Sequence, residues 1–386
     1  MKQALKQTSI KSKNMSTYGQ KMNPAQLKRF LDHVFKRNNR THETGQRGTP
    51  IMIWGTHGLG KTEMVFEYAR KNGWKIAYCA PAQFEEMGDL HGMPMIIDPD
   101  RKVSGDEYTV YSPPDWIPKD DGPGILLLDD VNRADDRILR GIMQLLQHFE
   151  LHSWKLPPKW QIVATANPDS GEYSVTPMDD AMLTRMIHVT LEFEAKSWAE
   201  WATASGIDRR GIDFVLTYPE TVTGKRTTPR SLVQFLEQIG DIEDLRKEMD
   251  IVMALAKSTL DDATVNAFVA YANEDLAKLP NPEDILDAED FKSVAKAIKE
   301  LSKDDKGMIR TDRLSTICTR MLIHLKSEEF KPSPRLKDNL VHFMLLECIP
   351  RDLTMGFYMD IIRETGQGVK EMTKDKRLAT LLLDSL

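Results

Sequence analysis

Eight consecutive residues, Gly55-Thr56-His57-Gly58-Leu59-Gly60-Lys61-Thr62, satisfy the spacing G-x-x-x-x-G-K-[ST]. Glycines at these positions let a backbone wrap so that successive N–H groups converge on phosphate oxygens, and a helix opening behind them adds positive potential. In such a loop Lys61 reaches the β- and γ-phosphates and the Thr62 hydroxyl ligates Mg²⁺. Gly55 through Glu63 is therefore the expected nucleotide-binding stretch, with His57 a variable loop position rather than a metal ligand or base. Further on, the apolar run Ile125–Leu128 ends in Asp129-Asp130. Carboxylates leaving the C-terminal end of a buried strand stand where ligands bind in open α/β sheets. Asp129 would hold Mg²⁺ through its water shell, and Asp130 would polarise an attacking water. The strand around Gln161–Ala166 ends in Asn167-Pro168. An Asn amide beside two carboxylates can donate a hydrogen bond to a γ-phosphate and accept one from water, although on local sequence alone the pair reads as a turn.

These side chains need strands and helices in a particular order to meet. Short apolar runs at 51–54, 75–79, 125–128, 161–165 and 187–191 are separated by helical stretches or loops, a pattern that predicts a parallel sheet covered on both faces. Ahead of them, Asn23-Pro24 supplies a helix N-cap, and Leu27, Phe30, Leu31, Val34 and Phe35 recur at helical spacing. Residues 88–118 are rich in Gly, Pro and Asp and read as a hairpin-bearing insertion. After residue 195 the strand signal stops. Helical segments are predicted near 196–204, 208–217, 229–239, 250–259 and 262–273, then, past a joint at 279–289, at 289–301, 311–326, 334–347 and 352–364. The expected division is a flexible basic leader (1–22), an α/β nucleotide-binding domain (23–194), a helical lid (195–275) and a C-terminal helical region (276–386).

Composition narrows the function classes. The 386 residues are 41% hydrophobic and 28% charged, ordinary globular values. The longest clearly aliphatic stretch is Ile125–Leu128, far short of the ~20 residues of a membrane helix. Lysines near the N-terminus have no apolar stretch behind them, which argues against a signal peptide. Cys79, Cys318 and Cys348 are widely spaced without a CxxC pair, which fits a reducing cytoplasm rather than a disulfide scaffold or structural zinc. The net charge of −6 is uneven: residues 1–50 carry +9 and the rest −15. A basic arm on an acidic body can touch nucleic acid or an acidic neighbour subunit, or simply be solvated.

Taken in order, the motifs resemble the AAA+ ATPases, and within them the MoxR-like branch related to dynein and midasin, over roughly 23–239. GTHGLGKT is similar to the Walker A and GILLLDDVNRA to the Walker B, followed by the family's Asn-Arg-Ala at Asn132-Arg133-Ala134. Asp89-Leu90-His91-Gly92 resembles the element before the family's helix-2 insert. LPPKWQIVATANP (156–168) is similar to the strand carrying sensor 1, which puts that role on Asn167. The resemblance makes Arg185, on a helix running from Met178, the arginine finger that reaches a neighbouring subunit's γ-phosphate. It makes Arg230, after Thr228-Pro229, the sensor 2 of a lid helix. Together these imply a P-loop AAA+ parallel sheet flanked by helices, with ATP and Mg²⁺ as cofactors and Lys61, Asp130, Asn167, Arg185 and Arg230 as catalytic residues. Thr62 and Asp129 become the metal-side ligands.

The resemblance further implies a homo-oligomeric ring, six-membered, acting on a protein client and working with a separately encoded von Willebrand factor A domain protein. One departure stands out. The family usually has Glu at Asp130, and a side chain one methylene shorter leaves the carboxylate about 1.5 Å short of the water, where a 1 Å misplacement costs ~100-fold. A nucleotide-gated scaffold with little hydrolysis is thus one alternative. A nucleic-acid-dependent motor, suggested by the basic leader, is another.

Overall fold

The computed structural model describes residues 18–97, 108–168, 175–223, 225–273, 279–303, 307–327 and 330–383. The chain divides into two units, Met1–Phe193 and Glu194–Leu386. The first runs β1 (Gln20–Met22), α1 (Pro24–Glu43), β2 (Ile51–Trp54), α2 (Lys61–Asn72), β3 (Lys75–Cys79), α3 (Met87–His91), β4 (Met93–Ile97) and β5 (Tyr108–Ser112). It continues through β6 (Gly124–Leu128), α4 (Asp136–His148), β7 (Glu150–Leu151), β8 (Trp154–Lys155), β9 (Trp160–Ala166), α5 (Asp180–Leu183) and β10 (Ile187–Leu191).

Six strands form one parallel sheet in the order β1-β10-β2-β9-β6-β3. Alternation along the strands sorts side chains to its two faces. Ile51 and Ile53, with Ile125, Leu127 and Val163, pack against Leu27, Leu31 and Phe35 of α1 and Val65 and Ala69 of α2. Met52, Trp54, Leu126, Leu128 and Ile162 face the other way, toward Ile138, Ile142 and Leu146 of α4. Helix α1 starts where the sequence places it, with Asn23 and Gln26 forming a reciprocal capping box and Pro24 in the first turn. The insertion expected at 88–118 does hold a hairpin, with β4 antiparallel to β5; its residues 98–107 lie outside those described.

One expectation needs correcting. The flexible leader does not extend through residue 22, because Gln20–Met22 pairs in parallel with β10 and forms the sheet edge. The reason lies just before it. Tyr18 stacks on Trp54 with ring centroids 4.1 Å apart, and its carbonyl accepts from the Thr190 hydroxyl at 2.8 Å. Gly19, at φ +73°, lies so close to the His188 carbonyl that a Cβ could not fit. Residues 1–17 of that leader lie outside those described.

The second unit is helical: α6 (Ala195–Ala204), α7 (Arg209–Thr217), α8 (Pro229–Ile239), α9 (Met249–Thr259), α10 (Asp262–Asn273), α11 (Pro282–Leu286), α12 (Phe291–Leu301), α13 (Thr311–Lys326), α14 (Pro334–Met344), α15 (Arg351–Glu364), α16 (Gln367–Met372) and α17 (Lys376–Leu383). The joint at 279–289 carries a short helix, α11, started by a capping box between Asn281 and Asp284. Phe214, Phe235, Phe268 and Tyr271 form an edge-to-face aromatic cluster, with Phe235 and Phe268 centroids 4.9 Å apart. Helices α11 to α17 close around Ile285, Met321, Leu340 and Ile361.

A buried ion pair ties α13 to α7. Arg320 Nη1 donates to Asp213 Oδ2 at 3.2 Å, with the side chains only 6% and 7% exposed. The other Arg320 amino group reaches Asn281 Oδ1 at 3.2 Å. Among the described residues Asp213 Oδ1 has no hydrogen-bond partner. Burial pushes the Asp213 carboxyl up to about 7, against the pull of Arg209 and with a smaller push from Asp208. A carboxyl raised in the folded state favours folding most below the ordinary carboxylate range and loses that contribution as pH rises through about 7. Arg320→Met strands this carboxylate. It is expected to destabilise the chain by about 3–5 kcal/mol at pH 8, and by clearly less at pH 6, where a proton neutralises Asp213. Urea unfolding at the two pH values measures the difference.

Candidate nucleotide site

Four parallel strands deliver their carboxyl ends to the same edge. Gly55 continues β2 and donates its N–H to the Ala166 carbonyl of β9 at 3.2 Å, while Asp129 continues β6 and donates to the Cys79 carbonyl of β3 at 2.8 Å. After β2, Gly58 and Gly60 take positive φ of 70° and 88°, a backbone state that L side chains resist, and the chain enters α2 at Lys61. The connection from β2 runs to β3 on one side of the sheet, whereas β10 pairs on its other side, so the loop sits where the strand order reverses.

The side chains at this edge form one hydrogen-bonded network. Lys61, 6% exposed, donates from Nζ to Gly55 O at 2.8 Å, Thr56 O at 3.1 Å and Asn167 Oδ1 at 3.0 Å. Asn167 Nδ2 donates in turn to Asp130 Oδ1 at 3.0 Å. Thr62 Oγ1 donates to Asp129 Oδ1 at 2.7 Å, and the same oxygen accepts from Thr165 Oγ1 at 2.6 Å. Thr165 Oγ1 also accepts from the Asp130 N–H at 2.8 Å. Tyr78 donates from its hydroxyl to Asp129 Oδ2 at 3.2 Å. Partial burial, then the Asp129 carboxylate it faces, raise the Tyr78 phenol above its ordinary value.

Asp130 adopts φ 47° and ψ 44°, a left-handed conformation uncommon outside glycine but tolerated by Asp. Its carboxylate is held between Asn167 and Arg133, whose Nε lies 3.3 Å from Oδ2. The shorter side chain therefore reaches the Asn167 amide. The network brings together Lys61, Thr62, Asp129, Asp130 and Asn167. Arg185 is engaged elsewhere: Nε donates to Gln147 Oε1 at 3.1 Å and a terminal amino group donates to the Ala181 carbonyl. It lies in the turn after α5 rather than on the helix the sequence suggests. Arg230 belongs to the second unit, exposed in the first turn of α8, whose N-cap is Thr228.

Three participants escape a reading of the sequence alone: Thr165, Tyr78 and Asn132. A threonine inside a fully buried strand is the available signal for Thr165, since a buried hydroxyl needs a partner. Asn132 stands out only as part of a motif, and Tyr78 has the look of an ordinary strand aromatic.

Thr62 and Asp129 offer two hard oxygens 2.7 Å apart. That donor set fits Mg²⁺, which keeps most of its water and takes one or two protein oxygens.

Residues 50–186 match the AAA domain of the dynein-related subfamily. The matched stretch is similar to AAA+ domains of that subfamily and contains the Gly55–Thr62 loop, Asp129, Asp130 and Asn167. Among solved structures, the chain is similar to a point mutant of Thermotoga maritima RuvB, at 14% identity over 80% of this chain and 89% of that one, with a TM-score of 0.40. Similarity to the same organism's RuvB Holliday junction branch migration motor is 14% over the same shares, with a TM-score of 0.38. A putative ATPase from Cytophaga hutchinsonii is 14% identical over 92% of this chain and 89% of that one, with a TM-score of 0.30.

Thr165→Val keeps the side chain's shape and removes the hydroxyl that orients Asp129. It is expected to cut the Mg²⁺-dependent part of ADP affinity by about 10-fold, the scale for losing a ligand's supporting hydrogen bond, while leaving ADP binding in EDTA unchanged. Titration of fluorescent ADP with and without Mg²⁺ reads both quantities.

Proposed function

We propose that the chain is a Mg²⁺-dependent ATPase of MoxR type that assembles into a six-membered ring and remodels a protein client. The observation that carries this reading is the joining of Thr62, Asp129, Asp130, Asn167 and Lys61 in one hydrogen-bonded network at the end of β2, β6 and β9. In the reaction a water oxygen bonds to the γ-phosphorus as the bond from that phosphorus to the β,γ-bridging oxygen breaks. Lys61 neutralises the β- and γ-oxygens. Asp130 orients the water and takes its proton, and Asn167 hydrogen-bonds the γ-phosphate. Thr62 and Asp129 would hold Mg²⁺, which supplies charge neutralisation at the phosphates.

Positive charge on the far side of the γ-phosphate is assigned to Arg185 of the adjacent subunit, and Arg230 to the same subunit's nucleotide. Hydrolysis would then drive motion of the helical unit against the α/β unit. A separately encoded protein with a von Willebrand factor A domain is the partner class that this reading favours. A second reading, a nucleotide-gated scaffold, draws support from Asp130, whose carboxylate is occupied by Asn167 and Arg133.

Phosphate release measured across protein concentration separates the two. The ring ATPase predicts turnover per subunit that rises with concentration, a loss of at least ~10³-fold in Arg185→Ala, and comparable losses in Lys61→Ala and Asp130→Asn. Tight ATP binding with no phosphate release at any concentration would overturn hydrolysis and leave the scaffold.

A further inference from the structure

Strand β6 pairs with β9 only as far as Leu128 opposite Ala164, and then turns away through the left-handed Asp130. Strand β9 runs two residues further, and Asn167 follows it. The main chain of Asn167 therefore has no strand beside it on the β6 side. Asn132, 3% exposed in the turn Val131–Arg133, fills that place with its side-chain amide. Its Nδ2 donates to the Asn167 carbonyl at 2.7 Å, and its Oδ1 accepts the Asn167 N–H at 3.2 Å. The primary amide presents a donor and an acceptor side by side, so the side chain copies the peptide of a neighbouring strand for one residue.

We infer that Asn132 is a positioning residue that aims the Asn167 amide at the terminal phosphate of the nucleotide. The inference rests on the ATP-site reading above and assigns a function to a residue outside its reacting set. With the Asn167 main chain gripped on this side, its side chain reaches Lys61 and Asp130, at 3.0 Å each. The same turn also holds the segment that leads to Arg185. The Asn132 carbonyl accepts from Thr176 N at 2.7 Å, and the Ala134 carbonyl accepts from the Thr176 hydroxyl at 2.7 Å. The short turn behind Asp130 thus fixes the γ-phosphate-facing amide and the approach to α5 together.

The test compares affinities for ADP and for the non-hydrolysable analogue AMP-PNP, both with Mg²⁺, in the full wild-type chain, Asn132→Leu, Asn132→Asp, Asn167→Ala and the Asn132→Leu/Asn167→Ala double variant. Thermal midpoints are recorded beside them to establish that each variant is folded. In Asn132→Leu, AMP-PNP affinity falls about 10-fold, the size of one lost hydrogen bond, while ADP affinity stays within about twofold. The double variant is no weaker for AMP-PNP than Asn167→Ala alone, because the two residues act through one contact. Asn132→Asp, whose carboxylate accepts but cannot donate to the Asn167 carbonyl, behaves like the leucine variant.

A residue that serves only stability would weaken both nucleotides alike, and that result overturns the inference. So does an Asn132→Leu variant that binds AMP-PNP as wild type does. Because binding is read without turnover, a wild type that binds both nucleotides but releases no phosphate sinks the ATPase reading while the affinity ratio still decides the role of Asn132.

Discussion

Asp129 accepts hydroxyl hydrogen bonds from Thr62, at the start of α2, and from Thr165, near the end of β9, at 2.7 and 2.6 Å on one carboxylate oxygen. That shared oxygen fastens the phosphate loop to the two strands beside it, and the site's geometry follows from it. It can form only because β2, β9 and β6 are parallel neighbours, so that residues far apart in sequence end at a common edge. The apolar residues of those strands, buried on alternate faces against α1, α2 and α4, hold the edge in place. Fixing polar groups in advance on a packed scaffold is what lets a site stabilise developing charge without reorganising.

Lys61, Asn132, Thr165 and Asn167 are buried at this edge, and their polar atoms are matched. Lys61 finds three acceptors, and Asn167 uses both ends of its amide. An unmatched member of such a buried network costs about 1–3 kcal/mol, which explains why hydroxyls and amides rather than apolar side chains occupy Thr165 and Asn132. Within this network Asp130 takes an uncommon backbone state, and departures of this kind gather at functional positions. The second unit shows the opposite use of buried charge: Arg320 and Asp213 join two of its helices, a structural use of an ion pair.

Much of this was legible in the sequence because local rules and tertiary demands agree there. The four-residue run 51–54 became β2, and Asn23-Pro24 and Thr228-Pro229 started helices α1 and α8 where capping chemistry requires. The loop Gly55–Thr62 follows from spacing and type, and Asp129 and Asp130 from standing at a strand end downstream of it, whereas Asn167 on local sequence reads as a turn and takes its role from the family resemblance. What escaped depends on neighbours that one strand cannot announce. Strand β1 is polar and only three residues long, and it exists because Tyr18 finds Trp54 and Gly19 finds the backbone of β10. Thr165, Tyr78 and Asn132 act across strands, so their partners appear only when the sheet order is known.

The most direct test of the account is a structure of the chain with ADP, beryllium fluoride and Mg²⁺. The account predicts the fluoride group between Lys61 and Asn167, with the metal on the Thr62 and Asp129 side and the β-phosphate against the backbone N–H groups from Gly58 to Thr62. Nucleotide bound elsewhere, or a metal held without Thr62 and Asp129, would contradict it.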